Sequence, residues 1–110
     1  MEIKSERYGQ AVILRCKGDL TSDSLEVVGK EVQRQLGDGA MDIVLNLQEV
    51  PFVDSLALEY LLDLQDELIG RDGQLTLTNL DENVTKIFEM TRLDVGFEIL
   101  PDVVDAVKTI

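Results

Sequence analysis

The sequence predicts an α/β fold, in which one domain over residues 1–110 contains a mixed β-sheet of about five strands and about four helices. Two observations predict it. Side chains that alternate with a period of two over residues 11–17 give way, after Gly18, to a helical spacing of apolar residues. Further along, the continuous apolar run 43–47 is followed by a leucine-rich helical pattern. Strands that alternate with helices in this way are typical of βα units in a partly parallel sheet.

The first two elements are predicted to form a β-hairpin, with strands near residues 2–8 and 11–17 on either side of Gly9. In the second strand, the alternate positions on one apolar face are Val12, Leu14 and Cys16. Because Cys16 is the single cysteine and lies on this face, we expect a buried, unreactive thiol and no internal disulfide.

A helix is predicted after Gly18. Four residues that commonly cap helices come first: Thr21, Ser22, Asp23 and Ser24. Apolar residues then recur at helical spacing: Leu25, Val28, Val32 and Leu36. We therefore expect an amphipathic helix that ends near residues 37–39, where two glycines stand close together.

The second half of the chain is predicted to add three further strands and three helices. The run 43–47 is apolar throughout, which indicates a strand buried on both faces at the centre of a parallel sheet. The remaining predicted elements are a helix at 55–70, a strand at 74–78, a helix at 81–91, a short strand near 96–99 and a last helix that follows Pro101.

The charge of the chain excludes several classes of function. The 22 acidic and 10 basic residues give a formal net charge of −12, with the basic residues scattered along the sequence. Nucleic-acid binding needs clustered lysines and arginines, so we expect no nucleic-acid partner. No apolar run approaches the roughly 20 residues that a membrane-spanning helix needs, so we expect no membrane insertion. The acids either keep the domain soluble or attract a partner with a basic surface.

The residues that most enzymes use are also absent. The chain contains no histidine, so histidine-based triads cannot form, and one cysteine without histidine excludes a conventional structural zinc site. No phosphate-binding glycine loop occurs. We expect a protein that is not an enzyme, binds no cofactor or metal, and works in the reducing cytoplasm.

The most informative segment is the junction between the buried strand and the second helix, residues 43–58. A strand that ends at a polar tip and opens onto a helix N-terminus is a common place for a site in α/β domains. Asp54 and Ser55 stand at this tip and are both predicted to cap the helix. Nothing obvious in the sequence would activate Ser55 as a nucleophile.

Steps of 100° per residue sort the second helix into two faces. The predicted core face contains Ala57, Leu58, Leu61, Leu62, Leu64, Leu68 and Ile69. The opposite, acidic face contains Glu59, Asp63, Asp66 and Glu67, together with Leu56 and Tyr60. Two interpretations stay open for Leu56: it tucks under the strand-to-helix loop, or it forms with Tyr60 a small apolar contact point surrounded by carboxylates.

Three segments resemble the STAS domain of bacterial anti-sigma factor antagonists, at the spacing of that family. Residues 16–20, Cys-Lys-Gly-Asp-Leu, resemble an early loop element; residues 43–58 resemble the central signature; and residues 85–93 resemble a late helix that ends in Ser/Thr-Gly-Leu. The resemblance covers nearly the whole chain. It implies a single STAS-like domain that binds an anti-sigma factor, often one with serine kinase activity, and that is released by phosphorylation.

The resemblance also shows where this chain departs from the family pattern. Asp54 and Ser55 match the family's Asp-Ser, but Leu56 stands where the family has its phosphate acceptor, and Thr21 stands where many members have Asp. Ser55 is a possible substitute acceptor, although a hydroxyl that caps the helix would be hard for a kinase to reach. The expected partner-binding residues are Thr21, Asp54, Ser55, Leu56, Glu59, Tyr60 and Asp63.

Three functions are compatible with these observations. The first is an anti-sigma factor antagonist-like module that regulates transcription by partner switching, without the usual phosphoacceptor. The second is a STAS subunit of another assembly, such as a stressosome-like complex or the partner of a lipid-transport ATPase. The third is an enzyme or small-ligand binder of an unrecognised type.

Overall fold

The computed structural model describes residues 1–109 and confirms the α/β prediction. The elements are β1 (Glu2–Tyr8), β2 (Ala11–Lys17), α1 (Leu25–Gly37), β3 (Asp42–Glu49), α2 (Ser55–Gly70), β4 (Leu75–Thr78), α3 (Glu82–Met90), a short 3-10 turn (Leu93–Val95), β5 (Glu98–Leu100) and α4 (Val103–Thr109). The predicted boundaries lie within about two residues of these. The sequence pattern did not predict the 3-10 turn, and because of it the last strand begins two residues later than predicted.

The five strands form one mixed sheet in the order β1-β2-β3-β4-β5. The hairpin strands β1 and β2 are antiparallel, and every later pair is parallel. The parallel pairs follow from the helices, because each crossover helix returns the chain to the same end of the sheet. As a result, the chain leaves β2 and β3 at one common edge, where the helices α1 and α2 begin.

The central strand β3 is buried on both faces, as its apolar run predicts. Ile43 and Leu45 belong to the main core, which lies between the sheet and the helices α1, α2 and α3. Val44 faces the other way and packs in a smaller cluster with Ile13 and with Ala106 of α4. The sheet is therefore covered by three helices on one face and by one short helix on the other.

Cys16 lies in the main core, as its strand position predicts. Burial raises the pKa of its thiol to about 12, because the surrounding apolar side chains disfavour the charged thiolate. The thiol therefore stays protonated near neutral pH and is a poor nucleophile.

The connection from α2 to β4 depends on the missing side chain of Gly73. A Cβ atom at this position would overlap the carbonyl oxygen of Met41, the residue directly before β3. The backbone N–H of Gly73 donates to the carbonyl oxygen of Leu68 (2.8 Å), which ends the helix. Only glycine allows the two backbones to approach this closely.

Candidate functional site

The loops that follow β2 and β3 stay paired beyond the ends of the strands. The backbone N–H of Leu20 donates to the carbonyl oxygen of Phe52 (2.9 Å), and the N–H of Asp54 donates to the carbonyl oxygen of Leu20 (3.1 Å). Leu20 and Val53 form an isolated parallel bridge, and both side chains are buried. This pairing holds the loop before α1 against the N-terminus of α2 and creates one tip on the molecule.

The carboxylate of Asp54 binds both parts of this tip. Its Oδ1 accepts a hydrogen bond from the N–H of Ala57 (2.8 Å) and caps α2, while its Oδ2 accepts one from the N–H of Ser22 (2.9 Å) in the other loop. The sequence prediction gave Ser55 a capping role as well, and that is wrong. Ser55 is the first residue of α2 and is exposed, and the helix is capped by Asp54. The inference that capping hides its hydroxyl is therefore wrong too.

Thr21 lies in the same tip, between residues that bond to the α2 loop. Its N–H donates to the hydroxyl oxygen of Ser24 (2.9 Å), and this hydroxyl is within hydrogen-bond distance, as donor, of the carbonyl oxygens of Asp19 (3.0 Å) and Thr21 (3.1 Å). Ser24 was one of four possible helix caps, but its side chain makes no capping bond to α1. The hydroxyl instead fixes the shape of the loop around the half-buried Thr21.

Leu56 is exposed at the first turn of α2, with 51% of its surface accessible. It does not tuck under the strand-to-helix loop, which was one of its two interpretations. Phe52 is 47% exposed in the preceding loop and was not predicted as a site residue. The sequence alone did not mark it, because its exposure follows from the burial of its neighbour Val53, which is only 2% exposed and faces the opposite side of the extended segment.

Tyr60 is not the exposed neighbour of Leu56 that the helical wheel predicts. It is half-buried, packs against the main core, and points its hydroxyl toward α1, where Gly29 leaves space for it. Burial raises the pKa of Tyr60 to about 12, with a smaller contribution from the charge of Glu67. A helical wheel shows only the direction in which each residue leaves the helix axis. The tyrosine side chain is long enough to bend from the polar face of the helix into the core.

The wheel also misplaces Ile69, which is 60% exposed although it was assigned to the core face. The residues buried most completely on α2 are Ala57, Leu61 and Leu68. Ile69 lies about 80° around the helix from Leu61, at the margin of the apolar arc. Glu59 and Asp63 are exposed on the same side of α2 as Leu56, as predicted.

The charged side chains of the tip and of the helix segments that continue from it are all acidic. Residues 18–29, which form the first loop and the start of α1, contain three acidic residues, and residues 50–70, which form the second loop and all of α2, contain five. Neither range contains a lysine or an arginine. Leu56 and Phe52 are therefore exposed apolar side chains in a segment whose charged residues are all acidic. Such a surface attracts positively charged proteins over distances of about one Debye length, roughly 8 Å at physiological salt.

Within residues 1–109, no three side chains of the types that bind metals come together. None of the helices in this range is long and apolar enough to cross a bilayer.

Comparison with known proteins places this geometry in a family. The STAS domain family model matches residues 2–106, so the chain belongs to the STAS domain family. A search of curated protein sequences finds no match.

Solved structures of similar fold are described as anti-sigma factor antagonists. A protein from Thermotoga maritima, described as a candidate antagonist, is 22% identical with a TM-score of 0.88, over 97% of this chain and 92% of its own. An antagonist from Mycobacterium paratuberculosis is 18% identical with a TM-score of 0.85, over 98% and 92%. The antagonist SpoIIAA in its unphosphorylated form is 22% identical with a TM-score of 0.75, over 99% and 100%. At these identities the likeness establishes the fold.

Proposed function

We propose that this protein is an anti-sigma factor antagonist-like interaction module that regulates transcription by partner switching in the cytoplasm. The observation that carries the proposal is the exposed Leu56 at the N-terminus of α2, the position that resembles the family's phosphate acceptor. The expected partner is an anti-sigma factor, including the serine kinase type. The family membership and the antagonists of similar fold support this role.

The chemistry of the tip supports a protein partner. Leu56 and Phe52 offer two exposed apolar side chains, which become favourable contacts when a partner excludes water from them. The surrounding acids, such as Glu59 and Asp63, suit a partner with lysines and arginines at the rim of the contact. We therefore expect a partner surface with an apolar pocket inside a basic patch.

The tip is also held in one shape before binding. Asp54 joins the α2 N-terminus to the loop that contains Thr21, and the Leu20–Val53 bridge supports the junction from below. A surface that is already ordered loses less conformational entropy on association, which favours affinity. Thr21, Asp54 and Ser55 are thus proposed to act as the frame that presents Leu56.

The switch of this protein is proposed to differ from the family pattern. Leucine has no hydroxyl, so a kinase cannot modify position 56, and binding at the tip would be constitutive. The exposed hydroxyl of Ser55, one residue earlier, is the competing acceptor. Incubation with the cognate kinase and ATP, followed by intact-mass measurement, should leave the wild type unmodified and add one phosphate to Leu56→Ser. Stoichiometric phosphate on the wild type at Ser55 would make Ser55 the switch.

The proposed module has no enzymatic activity of its own, because the chain contains no histidine and no cluster of metal-binding side chains occurs within residues 1–109. Hydrolysis of a generic ester or phosphoester that disappears in Ser55→Ala would contradict this.

Affinity capture from the native cell tests the function. Tagged wild type, Leu56→Asp and the matched control Ile69→Asp would each be used as bait, and the captured proteins quantified by mass spectrometry. Both substitutions place a carboxylate on an exposed aliphatic position of α2, roughly 20 Å apart along the helix. We expect an anti-sigma protein with the wild type and Ile69→Asp, and its loss with Leu56→Asp. Capture of transporter or stressosome-like subunits in its place would contradict the proposal.

A further inference from the structure

The strand β1 is an open edge of the sheet. It pairs with β2 on one side and has no neighbouring strand on the other among residues 1–109. Six of its seven residues are exposed, and Ile3 is half-buried. Open edges of this length are sites where another strand can add through main-chain hydrogen bonds.

The register of the hairpin fixes which backbone groups face the open edge. Tyr8 and Ala11 close a two-residue turn in which Gly9 has a φ of 59°, so their pair exchanges both hydrogen bonds. Hydrogen-bonded pairs then alternate along the strand, and the N–H and C=O groups of Ile3, Ser5 and Arg7 point away from β2. These three residues are the ones available to an added strand.

The sequence of β1 is complementary to itself in charge. If a second copy of β1 runs antiparallel with Ser5 opposite Ser5, then Lys4 of each copy lies opposite Glu6 of the other. These residues are non-hydrogen-bonded pairs, in which the Cα atoms are closest, about 4.5 Å apart. The two-fold axis makes this pair twice, and cross-strand pairs of opposite charge are favourable.

The outer face of the hairpin contains two cations that form no ion pair, and they line one depression together with Glu6 of the same copy. Lys4 lies directly opposite Arg15 of β2, and neither forms an ion pair within the described chain. Like charges in directly opposed strand positions repel each other. Glu6 of a second copy would lie directly opposite Lys4 and would add a second carboxylate beside these two cations.

The helix side of the same edge forms a groove of about 540 Å³ between β1 and α1. Ile3 and Val27 supply apolar surface to this groove, and Val27 is 47% exposed. In the same register, Ile3 lies opposite Arg7 of the second copy. The aliphatic stem of that arginine would cover Ile3, as long basic side chains commonly cover apolar surface.

From these observations we infer that the protein forms a symmetric dimer in which the β1 strands of two copies pair antiparallel about Ser5, so that one sheet runs through both subunits. This dimer does not use the α2 tip and does not rest on the proposed function. The edge is short, and each copy carries a net charge of −12, so the association is weak and reversible. Its dissociation constant should fall between about 10 µM and about 1 mM.

Sedimentation equilibrium across that concentration range tests the inference through a charge swap. Lys4→Glu and Glu6→Lys should each weaken the dimer at least about tenfold, because each replaces two attractive pairs by two repulsive ones. The double variant Lys4→Glu/Glu6→Lys restores both pairs and should recover dimerisation. Lys86→Glu, on the exposed face of α3, changes the net charge as Lys4→Glu does and should have little effect.

Three results would overturn the inference. The first is a wild type that stays monomeric at the highest concentration. The second is a stronger dimer in Glu6→Lys, since general repulsion between acidic copies would then control association. The third is a double variant as weak as the single ones. Far-ultraviolet circular dichroism of each variant verifies that the fold is intact.

Discussion

Replacement of Asp54 by alanine should destabilise the protein by about 2 kcal/mol. Its carboxylate makes two separable contacts: it caps α2 through Ala57, and it binds the α1 loop through Ser22. Loss of a helix cap costs about 1 kcal/mol, and loss of the second hydrogen bond to a charged group costs about another 1 kcal/mol. The sum is a large part of the 5–15 kcal/mol typical of a domain.

Asp81 provides the matched control, because it caps α3 through the N–H of Val84 and holds no second loop. Urea unfolding followed by circular dichroism should give a loss of about 1 kcal/mol for Asp81→Ala. The additional loss of unfolding free energy in Asp54→Ala then measures the hydrogen bond from the N–H of Ser22, in the loop before α1, to the carboxylate of Asp54. Equal losses in the two variants would refute the claim that Asp54 holds the tip together.

Two further predictions concern the support of the fold. Gly73→Ala should cost more than about 2 kcal/mol in urea unfolding, because the new methyl group would collide with the carbonyl oxygen of Met41, whereas Gly37→Ala has open space and should change stability by less than about 1 kcal/mol. The hydrogen bond from Arg34 lowers the pKa of Glu31 from 4.5 to about 2. The stability that this carboxylate contributes is therefore complete above about pH 4.5 and is lost as the pH falls toward about 2. The difference in unfolding free energy between wild type and Glu31→Gln should shrink across that window, and a constant difference would contradict it.

Most of the fold follows from local patterns in the sequence. Alternation, helical spacing and the buried run of β3 are signals within one segment, and each gave the element that the structure contains. The family resemblance predicts a site at Asp54 and Leu56 from their order in the sequence, and their role in binding a partner stays a prediction. Both residues lie at the tip. The pairing of the two loops through Leu20 and Val53 could not be predicted, because it joins segments that are distant in the sequence.

The errors arose where a side chain depends on a neighbour that is distant in sequence. Tyr60 was placed by its angle on the helix, but the space beside Gly29 of α1 lets it turn inward. Ser55 was assigned a cap because serine is a common cap, yet the structure uses the residue before it. Phe52 was overlooked because its exposure is set by the burial of Val53 in a bridge to another loop.

The affinity of the purified partner for three variants tests the central claim most directly. Isothermal titration of the captured anti-sigma protein into wild type, Leu56→Asp and Ile69→Asp would measure whether binding depends on the α2 tip. We expect Leu56→Asp to bind at least about fivefold more weakly, or about 1 kcal/mol, because it places a charge in the apolar centre of the contact. Ile69→Asp should bind as the wild type does. Equal affinities for wild type and Leu56→Asp, with both proteins folded, would show that the partner binds elsewhere.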